Sequence, residues 1–156
     1  MTAKTPFVTS EHVRWEDIDL AGIARYGSYT RFLDVAETDL YRSLGKPLSV
    51  LHAEYKVWLP RKVMHIDYFS PARLDDEITL ATYFSNIGRT SVTLNIDLFR
   101  DDRKTLIGAA YLVLVCVDVG LKKTALPPEF RLLVDPFVMS AEEARSALQD
   151  RAEGKS

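Results

Sequence analysis

Apolar and polar residues change their spacing along this chain, and the change predicts one long helix followed by a sheet. Residues 7–15 alternate, with Phe7, Val13 and Trp15 on one side and Val8, His12 and Arg14 on the other, as a first strand would. From Tyr29 the period lengthens. Tyr29, Phe32, Leu33, Ala36, Leu40 and Leu44 recur at helical spacing, while Arg31, Asp34, Thr38, Arg42 and Lys46 fall mostly on other faces. Gly45 followed by Pro47 ends this helix, and Val50 to Tyr55 reads as a loop. Period-two alternation then returns. Val63, His65, Asp67 and Phe69 alternate with Met64, Ile66 and Tyr68. Ile78, Leu80, Thr82 and Phe84 alternate with Thr79, Ala81 and Tyr83, and Val92, Leu94, Ile96 and Leu98 with Thr93, Asn95 and Asp97. Leu106 to Val117 is almost continuously apolar, as expected of a strand covered on both faces. The intervening turns (70–76, 86–89 and 101–104) are short enough to favour antiparallel pairing.

Ser140 and Glu143 form a capping-box signature, which predicts a short peripheral helix and a frayed charged tail over 139–156. The expected class is α+β: an antiparallel sheet wrapped around one long central helix. The expected organisation is a single domain over 1–156 with its core at about 7–133.

Composition adds mainly exclusions. The chain has 156 residues, 47% hydrophobic and 27% charged, as an ordinary soluble globular protein does. A formal net charge of −2 gives no broad electrostatic reason to bind nucleic acid or an anionic membrane. The single Cys116 excludes an intrachain disulfide, and its apolar setting reads as a buried, inert thiol. One Cys and the scattered His12, His52 and His65 give no zinc pattern, so no metal is expected. The first residues lack the apolar core of a signal peptide, and no apolar run is long enough to span a bilayer. The expectation is a cytoplasmic protein.

Residues 15–29 concentrate the chemistry. Glu16, Asp17 and Asp19, the glycines Gly22 and Gly27, and the aromatics Tyr26 and Tyr29 fall between a predicted strand and a predicted helix start. A helix start offers unpaired N–H donors and a positive dipole end, and a nearby carboxylate can attack a carbonyl or activate water. Such a junction suits acyl transfer. Two plainer readings compete with it. Asp17 and Asp19 can serve simply as turn and helix-start caps. Asp17-x-Asp19-x-x-Gly22 also copies the opening of a calcium loop, but Ala21 and Ser28 stand where further ligands belong and no incoming helix precedes it. Tyr29, first in the apolar stripe, reads as a packing residue.

The segment Asp17-Ile-Asp19-Leu-Ala-Gly22-Ile-Ala-Arg25-Tyr26-Gly27-Ser-Tyr29 resembles the hotdog-fold acyl-CoA thioesterases, specifically the 4-hydroxybenzoyl-CoA thioesterase branch. The shared pattern is D-x-D-x-x-G, then an aromatic or histidine four residues on, then a Tyr opening the long helix. The likeness continues through Phe69–Asp76 and Arg89–Ser91 to the Leu126-Pro127 exit, covering roughly residues 8 to 130. It implies that Asp19 is the catalytic carboxylate, as nucleophile or general base. It also implies that backbone N–H groups at Tyr26 and Gly27 polarise the thioester carbonyl. Arg89 lies where members of the family often carry basic residues that meet the coenzyme phosphates, against the plainer reading of a solvated turn charge. Gly22, Arg25, Trp58, Arg61, Lys62 and Ser91 are further substrate-binding candidates, with the Arg61-Lys62 pair read either as serving the phosphates or as a solvated strand edge and Trp58 as lining an acyl or aryl pocket. Some relatives carry His where this chain has Tyr26, and Arg25 is an unusual charge beside the expected acyl pocket. Coenzyme A would enter only as part of an acyl- or aryl-CoA substrate, with no other cofactor. Sites in this family lie between protomers, which implies a homodimer or homotetramer.

The chemistry is compatible with so few residues. A thioester's thiolate leaves with a pKa of about 8.5 by analogy with cysteine, so no strong general acid is required. A hotdog hydratase or dehydratase would need a catalytic His, and none of the three lies in the motif. A non-catalytic acyl-CoA-binding domain is the other rival, and it would bind acyl-CoA without turnover.

Overall fold

The apolar stripe that opens at Tyr29 lies inside the protein: Phe32, Ala36 and Leu40 are fully buried, and Tyr29 and Leu33 nearly so. The computed structural model describes residues 3–154. In chain order the elements are β1 (Phe7–His12), α1 (Tyr29–Ser43), α2 (Leu48–Tyr55), β2 (Val57–Trp58), β3 (Arg61–Tyr68), β4 (Glu77–Ile87), β5 (Ser91–Arg100), β6 (Leu106–Val115), β7 (Val117–Asp118), α3 (Pro128–Val134) and α4 (Ala141–Ala152). Five strands form one antiparallel sheet in the order β1-β4-β5-β6-β3, and β2 pairs with β7 in a small second sheet. One face of the main sheet packs on α1 through Ile78, Leu80, Phe84, Leu94, Ile96, Leu98 and Leu112, which share a core with the helix stripe. This is the α+β hotdog arrangement.

The opposite face is covered unevenly. α4 lies over β4 and β5, where Leu148 packs with Ala81 and Phe99, and Ala144 with Tyr83 and Met139. Asp97 on β5 is buried beneath this helix, and Arg145 of α4 donates to both its oxygens at 3.0 and 3.1 Å. The Ser140–Glu143 capping box is formed in both directions. Further along α4, Arg151 donates to Thr5 Oγ1 at 3.2 Å, so the two chain ends meet.

Several sequence expectations change. β1 stops at His12, and Trp15 sits in a 3-10 turn (Trp15–Asp17) with 79% of its surface exposed. The segment expected to be a loop at Val50–Tyr55 belongs to α2. Gly45, at a left-handed φ of 71°, ends α1, and a new helix starts after Pro47 and buries Leu51. α3 was not expected; Phe130 and Val134 seat it in the core. β6 is not covered on both faces. It lies next to the edge strand; Leu106 at its start packs with the Leu148 cluster of α4, but Tyr111 further along its outer face is exposed. The apolar run also breaks at Cys116, after which Val117 pairs with Trp58. Cys116 is buried, its Sγ lies 3.7 Å from the Ala125 carbonyl, and burial pushes its thiol pKa up. β3 is an edge strand whose residues are exposed apart from half-buried Ile66. Among the described residues no helix is long and apolar enough to cross a membrane.

Candidate functional site

Asp17 ties the loop after β1 to the helix that follows. Its buried carboxylate accepts from the Arg14 N–H at 2.7 Å, from Arg31 Nε at 3.0 Å and from Arg31 Nη2. Its backbone carbonyl accepts from the Arg25 N–H at 2.9 Å and from Ser28 Oγ at 3.0 Å. Burial alone would push this carboxyl up. The Arg31 guanidinium and the Arg14 N–H outweigh it and hold the group below the ordinary carboxylate value. Arg31 also reaches the His12 carbonyl and Glu11, so the end of β1, the loop and α1 converge on one guanidinium.

Asp19 stands at the tip of a tight hairpin closed by the Ile18–Ala24 bridge. The Gly22 N–H donates to the Asp19 carbonyl and the Asp19 N–H to the Ile23 carbonyl, both at 3.0 Å. This turn needs a φ of 76° at residue 22, a left-handed conformation that favours glycine. Asp19 Oδ1 accepts from the Ala21 N–H at 2.8 Å; Oδ2 has no partner among the described residues and the side chain is exposed. Asp19 borders a cavity of about 500 Å³, together with Ala24, Arg25, Tyr26, Tyr29 and the Tyr68–Pro71 segment.

On another wall of that cavity a 3-10 turn, Tyr26–Ser28, runs directly into α1. The first N–H groups of such a run lack an acceptor within the helix, so those of Tyr26 and Gly27 are the natural donors to a ligand oxygen. Tyr68 donates to the Tyr26 carbonyl at 3.3 Å and packs edge-on against Tyr29 with ring centroids 4.8 Å apart. Gly108 lies beneath: a Cβ there would sit 2.9 Å from the Asp67 carbonyl oxygen and 3.8 Å from the Tyr29 ring. Tyr29 is a buried wall whose phenol burial pushes up, whereas the Tyr26 ring is exposed. The Arg25 guanidinium is exposed and has no partner among the described residues.

The structure therefore brings Asp19, Gly22, Arg25, Tyr26 and Gly27 together. Trp58, Arg61, Lys62, Arg89 and Ser91 gather at the other end of the sheet. Trp58 is paired with Val117 and stacks on His52, Arg61 is in register with Leu114, and Ser91 with Val115. Arg131 donates to the Gly88 and Arg89 carbonyls and fixes the β4–β5 turn, leaving the Arg89 guanidinium exposed. From Gly108 to Val115 along β6 the two groups are roughly 24 Å apart.

Between them lies a second cavity, of about 230 Å³, lined by Thr30, Leu33, Asp34, Glu37, Arg61 and Met64, with Leu112 behind. Glu37 is only 3% exposed and is ion-paired with Arg61. Burial pushes the Glu37 carboxyl up and Arg61 opposes the rise. One turn further along, the buried Tyr41 hydroxyl has no partner among the described residues. Sequence reasoning passed over Glu37. Its signal was a carboxylate directly after Ala36, within the buried face of the stripe.

The chain matches the sequence model of the thioesterase-like superfamily over residues 13–134. It is 33% identical over 116 residues to the acyl-CoA thioester hydrolase YbgC of Escherichia coli O6:H1, covering 74% of this chain and 85% of that one. Its fold resembles a thioesterase superfamily protein from Jannaschia sp. CCS1, with a TM-score of 0.79 at 23% identity over 90% of this chain and 99% of that one. It also resembles the SAV2348 protein of Staphylococcus aureus, solved in complex with CoA, with a TM-score of 0.78 at 18% identity over 92% and 94% of the two chains.

Proposed function

The chain belongs to the thioesterase-like superfamily, and on that premise we propose that it hydrolyses acyl-CoA thioesters to free acid and coenzyme A, with Asp19 as nucleophile or general base. The observation that carries this reading is an exposed Asp19 with a free Oδ2, bordering the cavity that Tyr26 of the helix start also lines. In the general-base route, Asp19 takes a proton from water as the water oxygen attacks the thioester carbonyl. In the nucleophilic route, Oδ2 attacks directly, the thiolate leaves, and water then cleaves the mixed anhydride. Both routes develop an oxyanion for which the Tyr26 and Gly27 N–H groups are the donors, and such a donor accounts for about 100- to 1,000-fold in rate. Coenzyme A enters as part of the substrate, and the buried, pKa-raised Cys116 thiol takes no part.

The edge strand β3 supports a dimer. A free edge presents unpaired backbone groups that a second copy can satisfy. A two-fold antiparallel pairing of β3 with itself sets the Arg61 end of one copy beside the Tyr68 end of the other. The Asp19 group of one protomer then faces the Lys62, Arg89 and Ser91 group of its partner, where Lys62 and Arg89 meet the coenzyme phosphates and Arg61 stays with Glu37. The coherence of these separated residues is what the dimer explains. The single uncompensated thiol and the absence of an apolar span among the described helices fit a reducing, cytoplasmic setting.

The test is thiol release from acetyl- to palmitoyl-CoA, benzoyl-CoA and 4-hydroxybenzoyl-CoA by the wild type and Asp19→Asn. Turnover that falls at least about 100-fold in the variant supports the proposal; full activity in the variant overturns it. Oxygen-18 appearing in the Asp19 carboxylate after a single turnover in labelled water identifies the nucleophilic route with water attacking Cγ, since the general-base route labels only the released acid.

A further inference from the structure

Beyond the Asp19 cavity, α1 and β3 border a second one, and the charge of its wall is already set. Tyr29 bounds the first cavity and Thr30 the second, and on β3 Tyr68 and Met64 bound them in the same order. From Tyr29 to Glu37 the helix advances about 12 Å. Leu33, Met64 and Leu112 make the far cavity apolar, and its volume of about 230 Å³ exceeds the roughly 150 Å³ that accepts a benzene ring. Its charged groups are Asp34, Glu37 and Arg61. The one cation among them already holds the buried Glu37 carboxylate and donates to the Leu59 carbonyl at 3.2 Å.

We propose that Glu37 is a specificity-determining residue: by engaging Arg61 it denies a counter-ion to acyl groups ending in a carboxylate and reserves the second cavity for uncharged ones. This rests on the thioesterase reading and deepens it. An anionic acyl terminus reaching this wall meets two carboxylates and a guanidinium that is already compensated, and an unpaired charge in an apolar cavity is strongly disfavoured. An uncharged chain meets Leu33, Met64 and Leu112 at no such cost. Discrimination comes from the repulsive wall as much as from apolar contact. The raised Glu37 carboxyl is consistent with a group held dry by its surroundings.

The experiment uses pairs matched in length and differing only in a terminal carboxylate: butyryl- against succinyl-CoA, hexanoyl- against adipoyl-CoA, and octanoyl- against suberoyl-CoA. The kcat/KM ratio in each pair is measured for wild type, Glu37→Gln and Asp34→Asn, with circular dichroism reporting the fold. The wild type should favour the uncharged member by at least about tenfold in the pairs long enough to reach the wall. Glu37→Gln, which frees Arg61, should lower that preference about tenfold or more, chiefly through KM, and Asp34→Asn should lower it by a smaller factor. Equal use of both members by the wild type, or a preference unchanged in the folded variants, overturns the inference. If Glu37→Gln does not fold, an unchanged preference in Asp34→Asn does the same.

Calorimetric titration of the same pairs onto the Asp19→Asn protein reads the discrimination as a Kd ratio without turnover. Discrimination in binding with no hydrolysis by the wild type therefore sinks the thioesterase reading and leaves the wall standing. Hydrolysis without discrimination does the reverse.

Discussion

Asp17 and Asp19 are carboxylates of one loop, two residues apart, and their surroundings are opposite. Asp17 is 2% exposed and its two oxygens take three donors from Arg14 and Arg31; Asp19 is exposed, takes one donor from Ala21 and leaves Oδ2 free. The difference follows from what each residue has to hold. Asp17 joins β1 to α1 through Arg31, so both its oxygens are engaged, whereas Asp19 belongs to a turn already closed by backbone bonds and Gly22. A saturated carboxylate is an anchor and an unsaturated one is open to a ligand.

The same substitution at the two positions should therefore give opposite readings. Asp17→Asn removes the buried partner of Arg31, leaving it Glu11 alone, and should cost roughly 3 kcal/mol of stability in urea unfolding; a loss below about 1 kcal/mol would mean that the loop is held elsewhere. Because the folded-state pKa of Asp17 is lowered, its contribution is complete above the ordinary value of 3.8 and disappears as pH falls through the lowered one. The stability gap between wild type and Asp17→Asn should accordingly be constant near neutrality and close in acid below 3.8. Asp19→Asn should show the converse, an unchanged melting temperature with turnover reduced at least about 100-fold, or roughly 2.7 kcal/mol of barrier. Gly22→Ala forces a side chain into the left-handed region and should cost about 1–2 kcal/mol, seen as a lower melting temperature. Gly27, with ordinary φ and open space where a Cβ would go, should accept Ala within about 0.5 kcal/mol. A larger loss there would show that the helix start is more tightly packed than the Asp19 turn.

What could be read in advance divides along the same line. Backbone periodicity exposed α1 through Leu33, Ala36 and Leu40, and β5 through Val92, Leu94, Ile96 and Leu98, because each has one face against a single core. It failed where that condition fails. β3 is an edge strand with one half-buried residue, Ile66, so its alternation of Val63 and Met64 says little about an interior. β6 is apolar on a face that stays partly open. α2 is announced by Pro47 rather than by an apolar stripe. α4 docks through the Arg145–Asp97 pair, which a search for apolar spacing cannot register. The loop around Asp19 was legible because its residue types are chemically unusual at a strand-to-helix junction. The grouping of Arg61 with Arg89 depends on strand order, and Glu37 reaches its cavity only once β3 lies beside α1; both are properties of the folded sheet.

The contact between Thr5 and Arg151 makes the chain nearly a closed ring. Once these two points are joined, the ends are a matter of where the ring is cut. A short linker joining them, with new ends opened in the charged turn at Asp101–Lys104, would leave every strand pairing in place while changing the order in which strands emerge during synthesis. β6 would come first and β5 last, so the central pair would form only when the chain was complete. Such a permuted protein should keep the architecture and fold on a different timetable.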